Sequence, residues 1–397
     1  MLGTPEPILS SPAVVRQWLR EQFQTVRNWA YFDHAAVAPI PVSARAAIEQ
    51  YAQEVAESGD VHWPRWSREV EAARNAASKL INAETQEIAL IPNTTYGVNV
   101  VAEGFPWQPG DNVVVPSNEF PTNLLPWKNQ ARRGVEIRVV PVPPGGRVDA
   151  DLLAPYIDAR TRVVAVSWVG FASGFRIDIG QIASLVHQRG GMLFLDAIQG
   201  LGPFALDVRN EGVDFLAADG HKWLLGPEGA GLLYIAREHL DLLQPLWIGW
   251  NSLAAQGFDP AADELKPDAS RYEGGTYAMA AVLGFSASLQ VLLHATADQV
   301  AGPVSAAVLE NVARIAERLS RQGCTIELPP EQHRSGIVPV TWEGADAAAL
   351  TSARRALLGS GVVTSVRGGR LRISTHAYNN GDDIDRLATA LEEFRRR

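Results

Sequence analysis

Apolar runs and polar gaps alternate along most of the chain, and their spacing sorts it into elements. Val14, Val15, Trp18, Leu19 and Phe23 recur at helical spacing and predict an amphipathic helix over 13–27. Tyr31-Phe32-Asp33-His34-Ala35-Ala36 reads as a short extended piece, and Pro39 and Pro41 precede a helix over 42–58. A third helix is predicted over 64–82, with Pro64 in its first turn. The pattern then changes. Seven short apolar runs follow, at 87–91, 111–115, 135–140, 161–168, 191–195, 213–217 and 230–235. Helical stretches at 95–104, 121–133, 149–158 and 178–190 separate most of them. Val, Ile and Leu dominate several runs without clean alternation, which suits strands covered on both faces. The order predicts an α/β domain on a mainly parallel, seven-stranded sheet.

From about 240 to 275 the chain is rich in Trp, Gly, Asp and Pro and has no period. A long active-site segment and a plain connector both fit it. Helices are predicted at 277–295 and 303–322. Strands at 324–328 and 336–341, a helix at 346–359, strands at 362–366 and 370–374 and a helix at 382–396 complete a small α+β domain. The expected division is an N-terminal segment, 1–30, packing with the small domain, a large domain, 31–275, and the small domain, 276–397. No repeat or low-complexity tract interrupts it.

Composition narrows the classes. At 397 residues, 46% hydrophobic and 20% charged, the chain has the make-up of a soluble globular protein. Its net charge of −9 and lack of a basic run point away from nucleic acid and anionic membrane, and Arg395 to Arg397 read as a solvated helix end. No apolar stretch is expected to span a bilayer, and the N-terminus lacks a basic-then-apolar leader. Cys324 is the only cysteine and cannot form an internal disulfide. Cytoplasmic residence is the default expectation. No histidine pair has metal-ligand spacing, so no metal is expected. Gly226 to Gly231 is followed by an apolar strand rather than a helix, so it is no dinucleotide fingerprint.

Two residues carry the candidate chemistry. Of the 35 lysines and arginines only Lys79, Lys128, Lys222 and Lys266 are lysines. Lys222 lies in Asp219-Gly220-His221-Lys222-Trp223, a turn between two apolar runs. Burial there lowers an amine's pKa and raises its nucleophilicity, and an amine can form a Schiff base where a guanidinium cannot. Asp196 ends the apolar run 191–195, one element upstream, so both groups can sit at strand ends on one sheet edge. An Asp beside a pyridinium nitrogen keeps it protonated while a Lys holds the ring.

Asp196-Ala197-Ile198-Gln199 and Gly220-His221-Lys222 resemble the Asp-x-x-Gln and Gly-His-Lys motifs of the class V aminotransferase family. That family includes cysteine desulfurases, isopenicillin-N-epimerase-like proteins and kynureninases, all fold-type-I pyridoxal 5′-phosphate (PLP) enzymes. The resemblance spans nearly the whole chain. It implies that Lys222 holds PLP as an aldimine and moves the Cα proton, while Asp196 stabilises the ring. Asn93-Thr94-Thr95-Tyr96 starts a helix, where hydroxyls and free N–H groups suit a phosphate or simply cap the helix; the resemblance implies that Thr94 and Thr95 take the PLP phosphate. His221 is expected beside them or beside the lysine loop. Asp219 stands where many relatives have Ser. Phe120 stands where desulfurases have a stacking, proton-carrying His; it can stack but moves no proton. Phe171 stands near their Asn, and Gln199 remains as a partner for the cofactor's phenolic oxygen. Thr276 matches a Gly-Thr element that reaches the neighbouring subunit's phosphate, so a homodimer is implied. Arg372, Ser374, Tyr378 and Asn379 match Arg-x-Ser-x-x-x-Tyr-Asn. Arg372 is therefore the expected partner of a substrate α-carboxylate, an internal salt bridge being the competing reading. His376 can line the same pocket or lie on the surface.

The reaction stays open at this point. Transamination or epimerisation at Cα is the first expectation, from Phe120 and the Gly-His-Lys-Trp-Leu-Leu-Gly-Pro-Glu-Gly run. The alternative is C–S cleavage of cysteine, cystine or a sulfoxide by β-elimination. Desulfurases carry a persulfide-forming Cys ahead of the arginine, but Thr364 to Arg370 holds none, and Cys324 is expected to be buried and idle. A non-catalytic shell is opposed by the presence of Lys222, Asp196 and Arg372 together.

Overall fold

The structure, a computed structural model, describes residues 9–254, 263–296 and 302–396. Residues 1–8, part of the irregular stretch (255–262) and Arg397 of the basic tail lie outside them. The chain opens with α1 (Pro12–Glu21), β1 (Ala30–Tyr31), α2 (Val42–Ser58) and α3 (Trp63–Leu80). The large sheet is then laid down as β2 (Ile88–Ile91), α4 (Thr94–Gly104), β3 (Asn112–Pro116), α5 (Leu125–Asn129), β4 (Glu136–Val140), α6 (Ala150–Leu153), β5 (Thr161–Ser167), α7 (Ile179–Gln188), β6 (Met192–Asp196), β7 (Phe215–Asp219) and β8 (Gly231–Ile235). Beyond it come α8 (Met279–Thr296), α9 (Pro303–Ser320), β9 (Thr325–Ile326), β10 (Ile337–Thr341), α10 (Ala347–Gly359), β11 (Val362–Val363), β12 (Ser365–Arg367), β13 (Arg370–Ser374) and α11 (Gly381–Arg395).

The seven strands of the large sheet run in the order β2-β8-β7-β6-β5-β3-β4. Only β8 opposes its neighbours. Because β2 and β7 both oppose β8, they run the same way. The C-terminal ends of β2, β3, β5, β6 and β7 therefore share one edge. Alternate residues feed two cores. Val164, Val166, Leu193, Leu195 and Leu216 enter one. Val163, Ala165, Phe194, Phe215 and Ala217 enter the other. A strand covered on both faces has no polar side to show, which is why these runs read as continuous apolar stretches.

Differences from the sequence expectations have local causes. The stretch 121–133 splits at Pro121 and Pro126 into a 3-10 turn, α5 and a second 3-10 turn. The stretch 149–158 shortens to α6 and a 3-10 turn containing Pro155. The run 362–366 breaks at Thr364 into β11, which pairs with β1, and β12, which pairs with β13. The expectation that no stretch is long enough to span a bilayer needs correction. Met279–Thr296 meets that test by length and composition, yet 61% of it is buried, and α8 packs on α2 and α3 as a core helix.

A third core joins α9, α10 and α11 to the four-stranded sheet β12-β13-β10-β9 and takes in Ala30 and Phe32. Helix α1 packs on α9, and Arg20 holds Asp383 at 2.7 Å. The bridge Asp33↔Ser374 ties the segment after β1 to the end of β13.

Candidate active site

The shared strand edge opens into a cavity of about 410 Å³. Its lining includes Thr94, Thr95, Phe120, Asp196, Gln199, His221 and Lys222 from the large sheet, and Arg367 and Arg372 from the small one. Ala35, Ala36 and Val37 close it from the N-terminal side.

Lys222 follows β7 in a tight turn. Gly226 N–H bonds Gly220 O at 2.8 Å and Leu225 N–H bonds Lys222 O at 3.1 Å. Closing this turn forces Leu225 to φ +60°, a left-handed conformation costing roughly 1–3 kcal/mol, which its fully buried side chain offsets. A Cβ at Gly220 would meet Ala230 O at 2.7 Å, so the approach to β8 requires glycine. Desolvation lowers the Lys222 amine to about 8, against the opposing pull of Asp196. Its Nζ lies 5.7 Å from the Phe120 ring centre.

Asp196 ends β6 with 2% exposure. Among the described residues its Oδ1 accepts only the Ile198 N–H, at 3.1 Å, and desolvation pushes its carboxyl up to about 6. A buried carboxylate this short of donors is completed by a cation carrying an N–H, which a pyridinium supplies.

The start of α4 shows which residue caps it. Asn93 Oδ1 accepts Tyr96 N–H at 2.9 Å, so the threonines are not used as the cap. Among the described residues Thr94 Oγ1 is buried with no hydrogen-bond partner, and Thr95 Oγ1 pairs with Thr122 Oγ1 at 2.9 Å. Asp219 Oδ2 lies 3.1 Å from His221 Nδ1 without forming a hydrogen bond, and among the described residues both that nitrogen and Asp219 Oδ1 are buried without a hydrogen-bond partner. A free hydroxyl, helix N–H groups and a histidine with an unpartnered ring nitrogen fit a phosphate.

Gln199 is held at both ends. Trp223 Nε1 can only donate, and it donates to Gln199 Oε1 at 2.8 Å, so the amide nitrogen must be the end bonded to Ala35 O at 3.0 Å. The second amide hydrogen is left for a ligand oxygen. Phe120 is 43% exposed, meets Phe171 edge to face and is no core residue.

Arg372, on β13, is 2% exposed. Its Nη1 donates to Phe171 O at 2.8 Å, its Nε to Ser365 Oγ at 3.1 Å, and its Nη2 lies 3.5 Å from Asp33 Oδ1. Both readings of Arg372 thus coexist: a long internal ion pair, and a guanidinium lining the cavity. Desolvation lowers it to about 10. His376 is not brought to this cavity. The chain leaves β13 after Ser374, and the His376 ring lies fully buried, stacked with Trp223 and Tyr378 and beside His34. Thr276 is exposed and does not line this chain's own cavity.

Sequence reasoning missed Arg367, Glu119 and Asp33. Glu119 accepts Ser167 N–H at 2.7 Å and also the Ser167 hydroxyl, next to Phe120. Desolvation pushes its carboxyl up to about 7. Its one sequence signal is a charged residue just before an aromatic at a strand end.

The aminotransferase class V family model matches residues 30–387. A probable cysteine desulfurase of Methanothermobacter thermautotrophicus is 29% identical over 398 residues, spanning 95% of this chain and 97% of that protein. Among solved structures, a C-DES mutant with glycine covalently linked to its PLP cofactor matches with a TM-score of 0.87 and 23% identity, over 94% of this chain and 99% of that one. The cystine C–S lyase C-DES bound to its product cysteine persulfide matches at 0.86 and 23%, with the same coverage. At that identity these structures speak to the fold alone, which is the fold-type-I architecture.

Proposed function

The chain belongs to the aminotransferase class V family, and from that premise we propose that it is a PLP-dependent C–S lyase. It removes a sulfur-bearing group from Cβ of an amino acid by elimination, without a persulfide on the enzyme. The observation that carries this reading is the hairpin facing the cavity. Arg367 pairs with Arg370, so only Gly368-Gly369 joins β12 to β13, and no thiol stands there. The names of the relatives favour a sulfur amino acid over the transamination or epimerisation first expected.

When bound, the cofactor supplies the electron sink that makes a Cα proton removable. Thr94, Thr95 and His221 would hold its phosphate, Asp196 would serve its ring nitrogen, Phe120 would stack on the ring and Gln199 would offer an N–H to its phenolic oxygen. Arg372 holds the substrate α-carboxylate. Lys222 Nζ, lowered to about 8, takes the proton from Cα and returns one to the departing sulfur. The Cα–H and Cβ–S bonds break, and the released 2-aminoacrylate adds water to give a 2-oxo acid and ammonia. Epimerisation has less support, because it calls for a proton carrier on each face of Cα. Lys222 supplies one such carrier, and His221, which lines the same cavity, is assigned to the phosphate. The same reading makes the protein a homodimer, with exposed Thr276 meeting the neighbouring site.

The test incubates the PLP-loaded protein with L-cysteine, L-cystine and S-substituted cysteines, and with L-alanine plus a 2-oxo acid. Pyruvate is expected from the sulfur amino acids, in step with thiol, sulfide or persulfide. A new amino acid formed from L-alanine and the 2-oxo acid, with no pyruvate from the sulfur amino acids, would make the protein an aminotransferase and end the lyase reading.

A further inference from the structure

The lining of the cavity holds two arginines, one more than an amino acid's one carboxylate requires. Lys222, Arg367 and Arg372 are its cations, and Asp196 and Asp219 are its acids. Asp219 Oδ2 lies 3.1 Å from His221 Nδ1. Arg372 is matched to an α-carboxylate. Arg367 remains.

Its placement follows from the hairpin register. Ser365 pairs with Arg372 and Arg367 with Arg370, so Ser365, Arg367 and Arg372 project from the same face of the small sheet. Arg367 and Arg372 are diagonal neighbours, within reach of one ligand for side chains this long. Gly368 and Gly369 take φ +54° and +70°, the positive values that so short a turn requires. A Cβ on Gly368 would sit 3.2 Å from Ala172 Cβ, so the turn rests against the loop that carries Phe171. Arg367 is thus presented by a braced hairpin.

Among the described residues Arg367 forms no ion pair. Its one hydrogen bond runs from Nη1 to the neighbouring carbonyl of Val366, at 2.8 Å. Asp33 is already engaged by Ser365 and Arg372. An unpaired arginine on a convex surface is ordinary, but this one lines the cavity beside a second arginine. Two guanidiniums on one face repel unless an anion lies between or beyond them.

We propose that Arg367 is a specificity-determining residue for a second anionic group, so that the substrate is an amino acid with a carboxylate beyond its sulfur. The α-carboxylate goes to Arg372 and the distal one to Arg367. The sulfur part of this rests on the lyase reading; the charge part concerns binding alone.

The experiment titrates the PLP-loaded protein with two isosteric pairs, following the absorbance of the bound cofactor. The pairs are S-carboxymethyl-L-cysteine against S-carbamoylmethyl-L-cysteine, and L-glutamate against L-glutamine. The acid member should bind at least about tenfold more tightly in one or both pairs, the size expected of a charge-assisted hydrogen bond. In Arg367→Gln the ratio should fall to within about threefold, and Arg367→Lys should keep part of it. Arg367 is exposed at a turn, so both variants should fold, with melting temperature as the check. Equal affinities within both pairs in the parent protein, or an unchanged ratio in Arg367→Gln, would overturn the assignment. Binding preference without pyruvate would leave the charge assignment standing and remove only the lyase reading.

Discussion

The cavity has two walls built on different principles. One is the strand edge of the large sheet, where Asp196 ends β6, Lys222 follows β7 and Thr94 opens the helix after β2. Each of these side chains is placed by a buried strand, β6 and β7 paired on both sides and β2 on one. The other wall is the β12–β13 hairpin, an outer ribbon of the small sheet, whose charged groups are placed by a two-glycine turn. The first wall is furnished for any reaction at Cα of an amino acid. The second is where the resemblance puts a persulfide cysteine, and where this chain has Gly-Gly flanked by arginines. Likeness on the cofactor wall therefore does not carry over to the outcome, because the two are set by separate elements.

Removing the centre of the first wall should have the largest effect. Lys222→Ala is expected to lose the borohydride-fixed PLP adduct, read by absorbance and intact mass, and to lose about 10²–10⁴-fold in turnover. The parent protein adds a pH signature. Desolvation lowers the amine from 10.5 to about 8, so the neutral form falls about tenfold per pH unit below 8. Adduct formation by apoprotein should slow about fiftyfold from pH 8 to 6. A yellow, active Lys222→Ala protein would break the comparison at its first term.

A smaller effect is expected where the walls meet. Arg372 is braced by Phe171 O, Ser365 and Asp33, so its fork is already aimed before substrate arrives. Arg372→Lys keeps a charge but loses the bidentate geometry. Amino-acid affinity, followed through the cofactor spectrum, should weaken at least about tenfold. An unchanged response would make Arg372 a purely structural ion pair, leaving the hairpin wall without its α-carboxylate partner.

The two walls also differed in how well they could be read. Lys222, Asp196 and Thr94 were visible because each closes an apolar run beside a turn signal, and such runs become strands whose ends are predictable. The seven-stranded sheet was legible for the same reason, even though nothing local marks β8 as the reversed strand. Asp33 was not legible in its role: its partners Ser365 and Arg372 come from more than three hundred residues away. Arg367 looked like one more surface arginine until the register of β12 and β13 set it beside Arg372. His376 was misleading, because its spacing from Arg372 suggested one pocket. Spacing holds only while a strand continues, and β13 stops at Ser374.

The smallest effect is expected at Cys324, the one residue that could restore a persulfide to this chain. It belongs to the small-sheet core with 7% exposure, far in kind from the cavity lining, of which it is no part. Arg395 Nη1 donates to its Sγ at 3.2 Å, yet burial outweighs that cation and raises the thiol's pKa. The thiolate is the attacking form, so a raised pKa suppresses attack on substrate sulfur. In Cys324→Ser the hydroxyl can accept the same Arg395 N–H, which limits the cost of a polar atom in that core to about 1–3 kcal/mol. Turnover of the best sulfur amino acid should stay within about twofold of the parent, while the melting temperature falls. Turnover abolished in a folded, PLP-loaded Cys324→Ser protein would mean that sulfur does pass through this thiol. The hairpin would then not decide the outcome, and the contrast between the two walls would fail.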